Sequence, residues 1–169
     1  MRASRAGLAA AVSLLAAACS DGAGVPSEAE TLDQFSRDRT GFEAIVRTVT
    51  AEPRILRIER RPDGELSVLP SNADPERMAS VASFMERHGI LYVSTDRSVE
   101  PNVDFTTFEH LGATRYESRM LTYRPADAPY ELVASIDQEI LGDPVADHTV
   151  FRSLGDGWYL RASSLPARE

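Results

Sequence analysis

The sequence RILRIERRPDGELSVLP, residues 54–70, contains the turn that most constrains how this chain can fold. Pro62 fixes φ at the first position of the turn, and Asp63 suits the second. Gly64 supplies the left-handed residue of a three-residue loop, because glycine adopts a positive φ without steric cost. The segment therefore predicts two antiparallel strands joined by this loop.

The alternation of apolar and polar residues on both sides of the loop agrees with this turn. A three-residue loop sets Ile58 opposite Val68 and Arg61 opposite Glu65. Because side chains alternate between the two faces of a strand, this register separates an apolar face from a polar one. The predicted buried face comprises Leu56, Ile58, Leu66 and Val68, and the predicted solvent face comprises Arg57, Glu59 and Ser67.

A helix is predicted directly after the hairpin, from start and stop signals that agree with each other. Asp74 suits the N-cap, Pro75 the first helical position, and Gly89 the position just past the last turn. Between these signals the apolar residues recur at helical spacing along one face: Met78, Val81, Ala82 and Met85.

Two other segments have helical spacing. One runs from about Glu30 to Thr50, and we expect a break near Gly41, where Thr40 and Glu43 fit a capping box. In the other, residues 130–141, a strand through the first half fits nearly as well as a helix. We predict a short helix there, from the spacing of Leu132, Val133, Ile136 and Ile140.

The remaining regular segments have the composition of strands. ILYVST after Gly89, VDFTTFEH from Val103 and TRYESRMLTYR to Arg124 predict three, and HTVFRSLGDGWYLRASS predicts two more around residues 155–157. Strands joined in hairpins, with helices interposed, indicate an α+β fold. We therefore predict a single α+β domain over residues 31–169, with a mainly antiparallel sheet of about six to seven strands and two or three helices packed on one face.

The first 18 residues have the layout of an export signal. Arg2 and Arg5 precede an uncharged, mainly apolar run from Ala6 to Ala18. This run is shorter than the roughly 20 apolar residues that a membrane-spanning helix needs. We therefore predict a signal peptide over residues 1–18.

Cys19, the only cysteine, follows this run directly after three alanines. Residues 1–20 resemble the precursors of bacterial lipoproteins, whose signal ends in a small residue followed by a modified cysteine. The resemblance implies cleavage before Cys19 and fatty acids such as palmitate on that residue, which hold a protein firmly in the lipid bilayer. It further implies a cell-envelope protein, and Ser20 favours the outer membrane, facing the periplasm. The alternative is an ordinary secretory signal that leaves a free thiol.

The composition of the rest of the chain bounds its partners. Residues 19–30 are predicted to form the lipidated cysteine and a flexible, acidic tether. The chain carries 26 acidic and 18 basic residues, a net charge of −8, which disfavours nucleic acid as a partner. Every basic residue is arginine, so lysine chemistry such as Schiff-base formation is excluded.

The histidines do not stand in a spacing typical of metal sites, and no metal or other cofactor is predicted. His88 lies in the last turn of the helix predicted to start at Pro75, where a structural role is favoured. Asp147 could orient the imidazole of His148 for catalysis, and a carboxylate near His110 could do the same for that residue. No GxSxG segment supplies a nucleophile. Paired acidic residues are assigned to solvated faces: Glu28 with Glu30, and Asp137 with Glu139.

The segment VFRSLGDGWYLRAS contains the only tryptophan and is the predicted recognition surface. A three-residue loop at 155–157 sets three pairs across the hairpin: Leu154 with Trp158, Arg152 with Leu160, and Phe151 with Arg161. A two-residue loop of Asp156 and Gly157 would instead set Arg152 directly opposite Arg161, an unfavourable pair of like charges. Aromatic and arginine side chains dominate binding hot spots, and here they would suit an acidic partner. The candidate residues are Arg152, Trp158, Tyr159 and Arg161, with Arg119 and Tyr116 from the long strand before Arg124. The alternative is that Trp158 and Leu160 belong to the core, while Tyr159 and Arg161 complete the solvent face.

Two classes of function are compatible with these features. The first is a membrane-tethered binding module for a protein or peptide of the cell envelope. The second is a small envelope hydrolase that uses His148 or His110 with nearby carboxylates. We favour the binding module over an enzyme, because the residues do not form a recognisable catalytic set.

Overall fold

The computed structural model describes residues 25–52, 54–61, 63–70, 74–96, 102–111, 115–126, 131–142 and 148–166. Cys19, the predicted signal peptide and Asp147 lie outside these residues. Within the described ranges the chain forms four helices and seven strands. They are α1 (Glu28–Arg37), α2 (Arg39–Ala51), β1 (Arg57–Arg60), β2 (Leu66–Leu69), α3 (Pro75–Arg87), β3 (Tyr92–Asp96), β4 (Asn102–Leu111), β5 (Arg115–Tyr123), α4 (Ile136–Gly142), β6 (His148–Gly155) and β7 (Trp158–Pro166).

The seven strands form one antiparallel sheet in the order β2-β1-β3-β4-β5-β7-β6. The α+β prediction is therefore confirmed. One face of the sheet, called here the helix face, carries Ile58, Phe105, Leu121 and Leu160, which form a single core with buried residues of all four helices. Phe42 of α2 is fully buried in this core and its ring contacts the rings of Phe84, Phe105 and Trp158.

The hairpin of β1 and β2 has the predicted register. Ile58 pairs with Val68, the Arg61 N–H donates to the Glu65 carbonyl over 2.8 Å, and Gly64 has a φ of 86°. Leu56 was predicted to be buried and is instead 56% exposed, while Ile55 is buried. The reason is that strand alternation begins only at Arg57, where β1 starts.

The first helical region is divided, as predicted, but at a different residue. The break is at Asp38, whose side chain caps α2 by accepting from the Gly41 N–H over 3.2 Å. The capping box predicted at Thr40 is not formed, because Thr40 lies inside α2; the box stands at the start of α1, between Ser27 and Glu30.

Helix α3 has the predicted bounds, with Asp74 as the N-cap and Pro75 in the first turn. Residues 131–142 combine the two alternatives left open by the sequence. Glu131 and Val133 bond to the backbone of Phe151 at the edge strand β6, and the short helix α4 follows.

The hairpin of β6 and β7 has two of the three predicted pairs. Arg152 pairs with Leu160 and Phe151 with Arg161. Trp158, however, pairs with Gly155 rather than with Leu154, so the loop has two residues, Asp156 and Gly157. An irregularity between Ser153 and Gly155 accommodates an extra residue, and Arg152 therefore lies opposite Leu160 and not opposite Arg161.

Candidate functional site

The six predicted recognition residues lie on both faces of the sheet and do not form one patch. On the helix face, Arg119 pairs with Ala162, Arg152 with Leu160, and Trp158 with Tyr123. The other three occupy alternate positions and therefore face the opposite side: Tyr116, Tyr159 and Arg161. The recognition hypothesis combined residues of both faces, whereas the packing alternative had separated Trp158 from Tyr159 and Arg161.

Trp158 belongs to the core. It is 1% exposed, and its ring lies 5.0 Å from that of Phe35 and 5.1 Å from that of Tyr123, centroid to centroid. This is the packing alternative considered for Trp158, so the tryptophan does not present a surface to a partner.

On the helix face, two carboxylates join Arg119 and Arg152 in a network that sequence reasoning missed. Asp137 accepts from Arg119 Nη2 over 2.5 Å, and Glu28 forms an ion pair with Arg152. Glu28 also accepts hydrogen bonds from the Ser135 hydroxyl and from two backbone N–H groups at the start of α4. We call these five residues, Glu28, Arg119, Ser135, Asp137 and Arg152, the carboxylate network.

Glu28 is buried and ionised within this network. Its exposure is 5%. Burial acts to raise the pKa of Glu28, but the hydrogen bonds from Arg152, Ser135 and the Asp137 backbone outweigh it, and the pKa lies below its ordinary value. Glu28 was assigned to a solvated face and to the tether of residues 19–30, whose last three residues lie in α1. The capping-box spacing of Ser27 and Glu30 is the signal that marks this helix start.

A cavity of about 320 Å³ lies beside the network, between the segment that precedes α1, helix α4 and strands β5 and β7. Arg119 and Asp137 form part of its wall, together with Glu117, Ile140 and Val25. The Arg119 side chain is only 7% exposed, and its Nη1 is buried without a hydrogen-bond partner among the described residues. The nitrogen is closed to solvent in this structure, so an acceptor reaches its unused N–H groups only if the guanidinium turns towards the cavity.

The opposite face carries a second polar group of residues. Asp104 accepts from the Thr122 hydroxyl over 2.8 Å and lies 4.0 Å from Arg161 Nη1. Burial raises the pKa of Asp104, and the hydrogen bond from Thr122 and the charge of Arg161 only partly oppose this effect. Farther along β5 on the same face, the Tyr116 hydroxyl donates to Glu109 Oε1 over 2.9 Å, and burial and this carboxylate raise the pKa of Tyr116 to about 12.

His110 and His148 stand at the two ends of a row across four strands of the helix face. His110 pairs with Glu117, Glu117 with Ser164, and Ser164 with His148. His148 Nε2 is buried without a partner in the described part of the chain, and the Ser164 hydroxyl accepts from Arg115.

His88 lies outside this row. It ends α3, its Nε2 lies 2.8 Å from Asp38 Oδ2, and its ring packs against Phe84. These contacts agree with the structural role that the sequence favoured for this histidine.

Among the described residues, no group of three or more histidine, cysteine, aspartate or glutamate side chains is arranged to hold a metal ion. No helix in the described ranges is both long and apolar enough to cross a membrane. Comparisons of the chain with protein-family models, with curated proteins and with solved structures found no match.

Proposed function

We propose that this protein is a lipid-anchored binding module of the cell envelope, and that its ligand enters the cavity beside Arg119. One observation carries the binding site: a buried arginine on the cavity wall has a nitrogen without a partner in the described part of the chain. A buried donor left unpaired costs about 1–3 kcal/mol. A ligand that supplies an acceptor recovers this cost once the guanidinium turns Nη1 towards the cavity, so the cavity favours an occupant with an oxygen acceptor.

The proposed anchor would keep this cavity close to the membrane. Val25 on the cavity wall is six residues after Cys19, and six residues span at most about 22 Å. Acylation of Cys19 would thus hold the site near the bilayer, on the periplasmic side of the outer membrane. Palmitate labelling of the wild-type protein and of Cys19→Ala tests the anchor. Unchanged membrane association of the unlabelled variant would contradict it.

Site-specific crosslinking tests the binding module. A photoreactive residue at Ile140 reports on the cavity, and one at Leu69 is the matched control, since Leu69 is 54% exposed on the edge strand β2. We expect adducts with envelope components at Ile140 and not at Leu69, identified by mass spectrometry. Equal adducts at both positions, or no adduct at either, would contradict a binding site in this cavity.

A hydrolase is the second candidate, and the row across the sheet is the observation that favours it. Ser164 lies on the cavity wall and is directly opposite His148, with Glu117 on its other side. Ser164 could then act as nucleophile and His148 as base. A fluorophosphonate probe that labels the wild-type protein but not Ser164→Ala would support this function, and a probe that labels neither would contradict it.

A further inference from the structure

The cavity beside Arg119 is nearly balanced in charge, and this balance limits what can bind. Arg119 is already paired with Asp137 over 2.5 Å, and Arg152 close by is paired with Glu28. Glu117 adds one more carboxylate to the wall. The charged side chains that line the site therefore sum to one negative charge, and Arg115, which donates to Ser164 of the wall, offsets it from just outside. The site has no excess positive charge to bind a further anion, which argues against the expected acidic partner.

The hydrogen-bond donors and acceptors of the cavity wall favour an uncharged polar group over an anion. Arg119 Nη1 has unused N–H groups that an acceptor reaches once the guanidinium turns towards the cavity, while Glu117 and Asp137 offer oxygens to a donor. Val25, Pro26 and Ile140 contribute apolar surface beside them. An amide group with an adjoining apolar side chain satisfies all three features, since it carries a neutral acceptor, a donor and apolar area.

We infer that the ligand of this cavity is a short peptide segment of neutral or positive net charge. Its backbone carbonyl accepts from Arg119 Nη1 after the guanidinium turns towards the cavity, and an apolar side chain packs against Ile140. A basic side chain of the peptide pairs with Glu117. This inference rests on the proposed binding function and adds the class of ligand to it.

The test uses the full chain, purified in detergent and immobilised, with a pool of capped hexapeptides of randomised sequence as the probe. Retained peptides are identified by mass spectrometry. We expect enrichment of neutral and basic peptides over acidic ones. Arg119→Lys is the decisive variant, because a lysine can still pair with Asp137 but cannot supply a second nitrogen. We expect it to retain the enriched peptides about tenfold less well or worse.

Two further variants control this result. Arg57→Lys makes the same exchange on β1, where the guanidinium stacks on Tyr92, and should leave peptide retention unchanged. Glu117→Gln removes the extra charge of the wall and should abolish the preference for basic over neutral peptides. Because Glu117 is only half-buried, this variant remains informative even if Arg119→Lys fails to fold.

The outcomes separate the class of ligand from the binding function. Enrichment of acidic peptides, or equal retention by the wild-type protein and Arg119→Lys, overturns the inference even if Ile140 crosslinks to envelope components. Binding of phosphatidylglycerol vesicles in place of peptides, lost in Arg119→Lys, also overturns it in favour of an anionic lipid. Crosslinks from Ile140 to residues 20–24 alone would overturn both, since the chain itself would then fill the cavity.

Discussion

Glu28 and Asp137 cap each other's helices. The Glu28 N–H, in the first turn of α1, donates to Asp137 Oδ2 over 2.8 Å. In return the Ile136 and Asp137 N–H groups, at the start of α4, donate to Glu28 Oε2 over 2.8 and 3.2 Å. Each carboxylate lies at the positive end of the partner helix, where the helix dipole stabilises a negative charge. Through Arg119 and Arg152 the same two residues connect the start of the domain to β5 and β6.

Replacing Glu28 should therefore destabilise the whole domain. Glu28→Gln removes the charge that Arg152 and the start of α4 bind, and we expect the free energy of unfolding to fall by about 1–3 kcal/mol. Glu30→Gln is the matched control, because Glu30 is exposed and only closes the capping box of α1. Denaturation in urea measures both variants. Equal losses would show that the carboxylate network adds nothing beyond a helix cap.

The start of the domain can also be tested by truncation. A chain that begins at residue 25 keeps Ser27, the N-cap of α1, and Glu28. A chain that begins at residue 31 lacks both. We expect the first to unfold at the temperature of the full chain and the second at a clearly lower temperature, followed by circular dichroism. Matching temperatures for both would place residues 25–30 outside the folded domain, as the tether prediction has them.

The hairpin of β1 and β2 and the helix α3 could be predicted because their signals are local. The turn at Gly64 and the alternation beside it lie in one short segment, as do the N-cap Asp74 and the apolar face of α3. The prediction of about six to seven strands followed from similar local signals, and the described residues form seven.

The carboxylate network could not be predicted in the same way, because its members are far apart in sequence. The Glu28 side chain bonds to a backbone group 108 residues later, and composition alone assigned it to the solvent. The predicted recognition patch was wrong for a different reason. Residue type suggested a surface, but strand alternation and burial divide Arg161 from Arg152 and place Trp158 in the core.

The contribution of Asp104 to the stability of the fold should change with pH in the opposite direction to that of Glu28. Its pKa in the folded protein is raised above the ordinary value of 3.8, so the ionised form opposes folding at neutral pH and the cost disappears as the pH falls. The pKa of Glu28 is lowered from 4.5, so its contribution is present above that value and is lost in acid. We expect Asp104→Asn to raise stability relative to the wild-type protein at pH 7, and less so at pH 3. Urea denaturation at both pH values measures this difference. A loss of stability at pH 7 would mean that the bonds to Thr122 and Arg161 outweigh burial.

A side chain at position 64 should have enough room, but the backbone conformation of Gly64 should disfavour it. A Cβ placed there meets nothing within 4 Å, yet its φ of 86° is unfavourable for most residues. Gly64→Val should cost about 1–2 kcal/mol, and Gly64→Asn should cost less, because asparagine adopts the left-handed region more readily. Equal costs in urea denaturation would show that the loop loses a contact rather than a backbone conformation.

Tyr116 should ionise at a higher pH than an ordinary tyrosine, with a pKa of about 12. Burial is the larger cause, and the bond from its hydroxyl to Glu109 adds to it, because a phenolate there would face a carboxylate and lose the donated hydrogen bond. Absorbance titration of the folded protein should therefore contain a late step that Tyr116→Phe removes. In Glu109→Gln the step should move towards the ordinary value of 10.0 without reaching it, since burial remains. Circular dichroism at each pH shows whether the sheet is intact. A step at 10.0 in the folded Glu109→Gln protein would assign the whole shift to the carboxylate and none to burial.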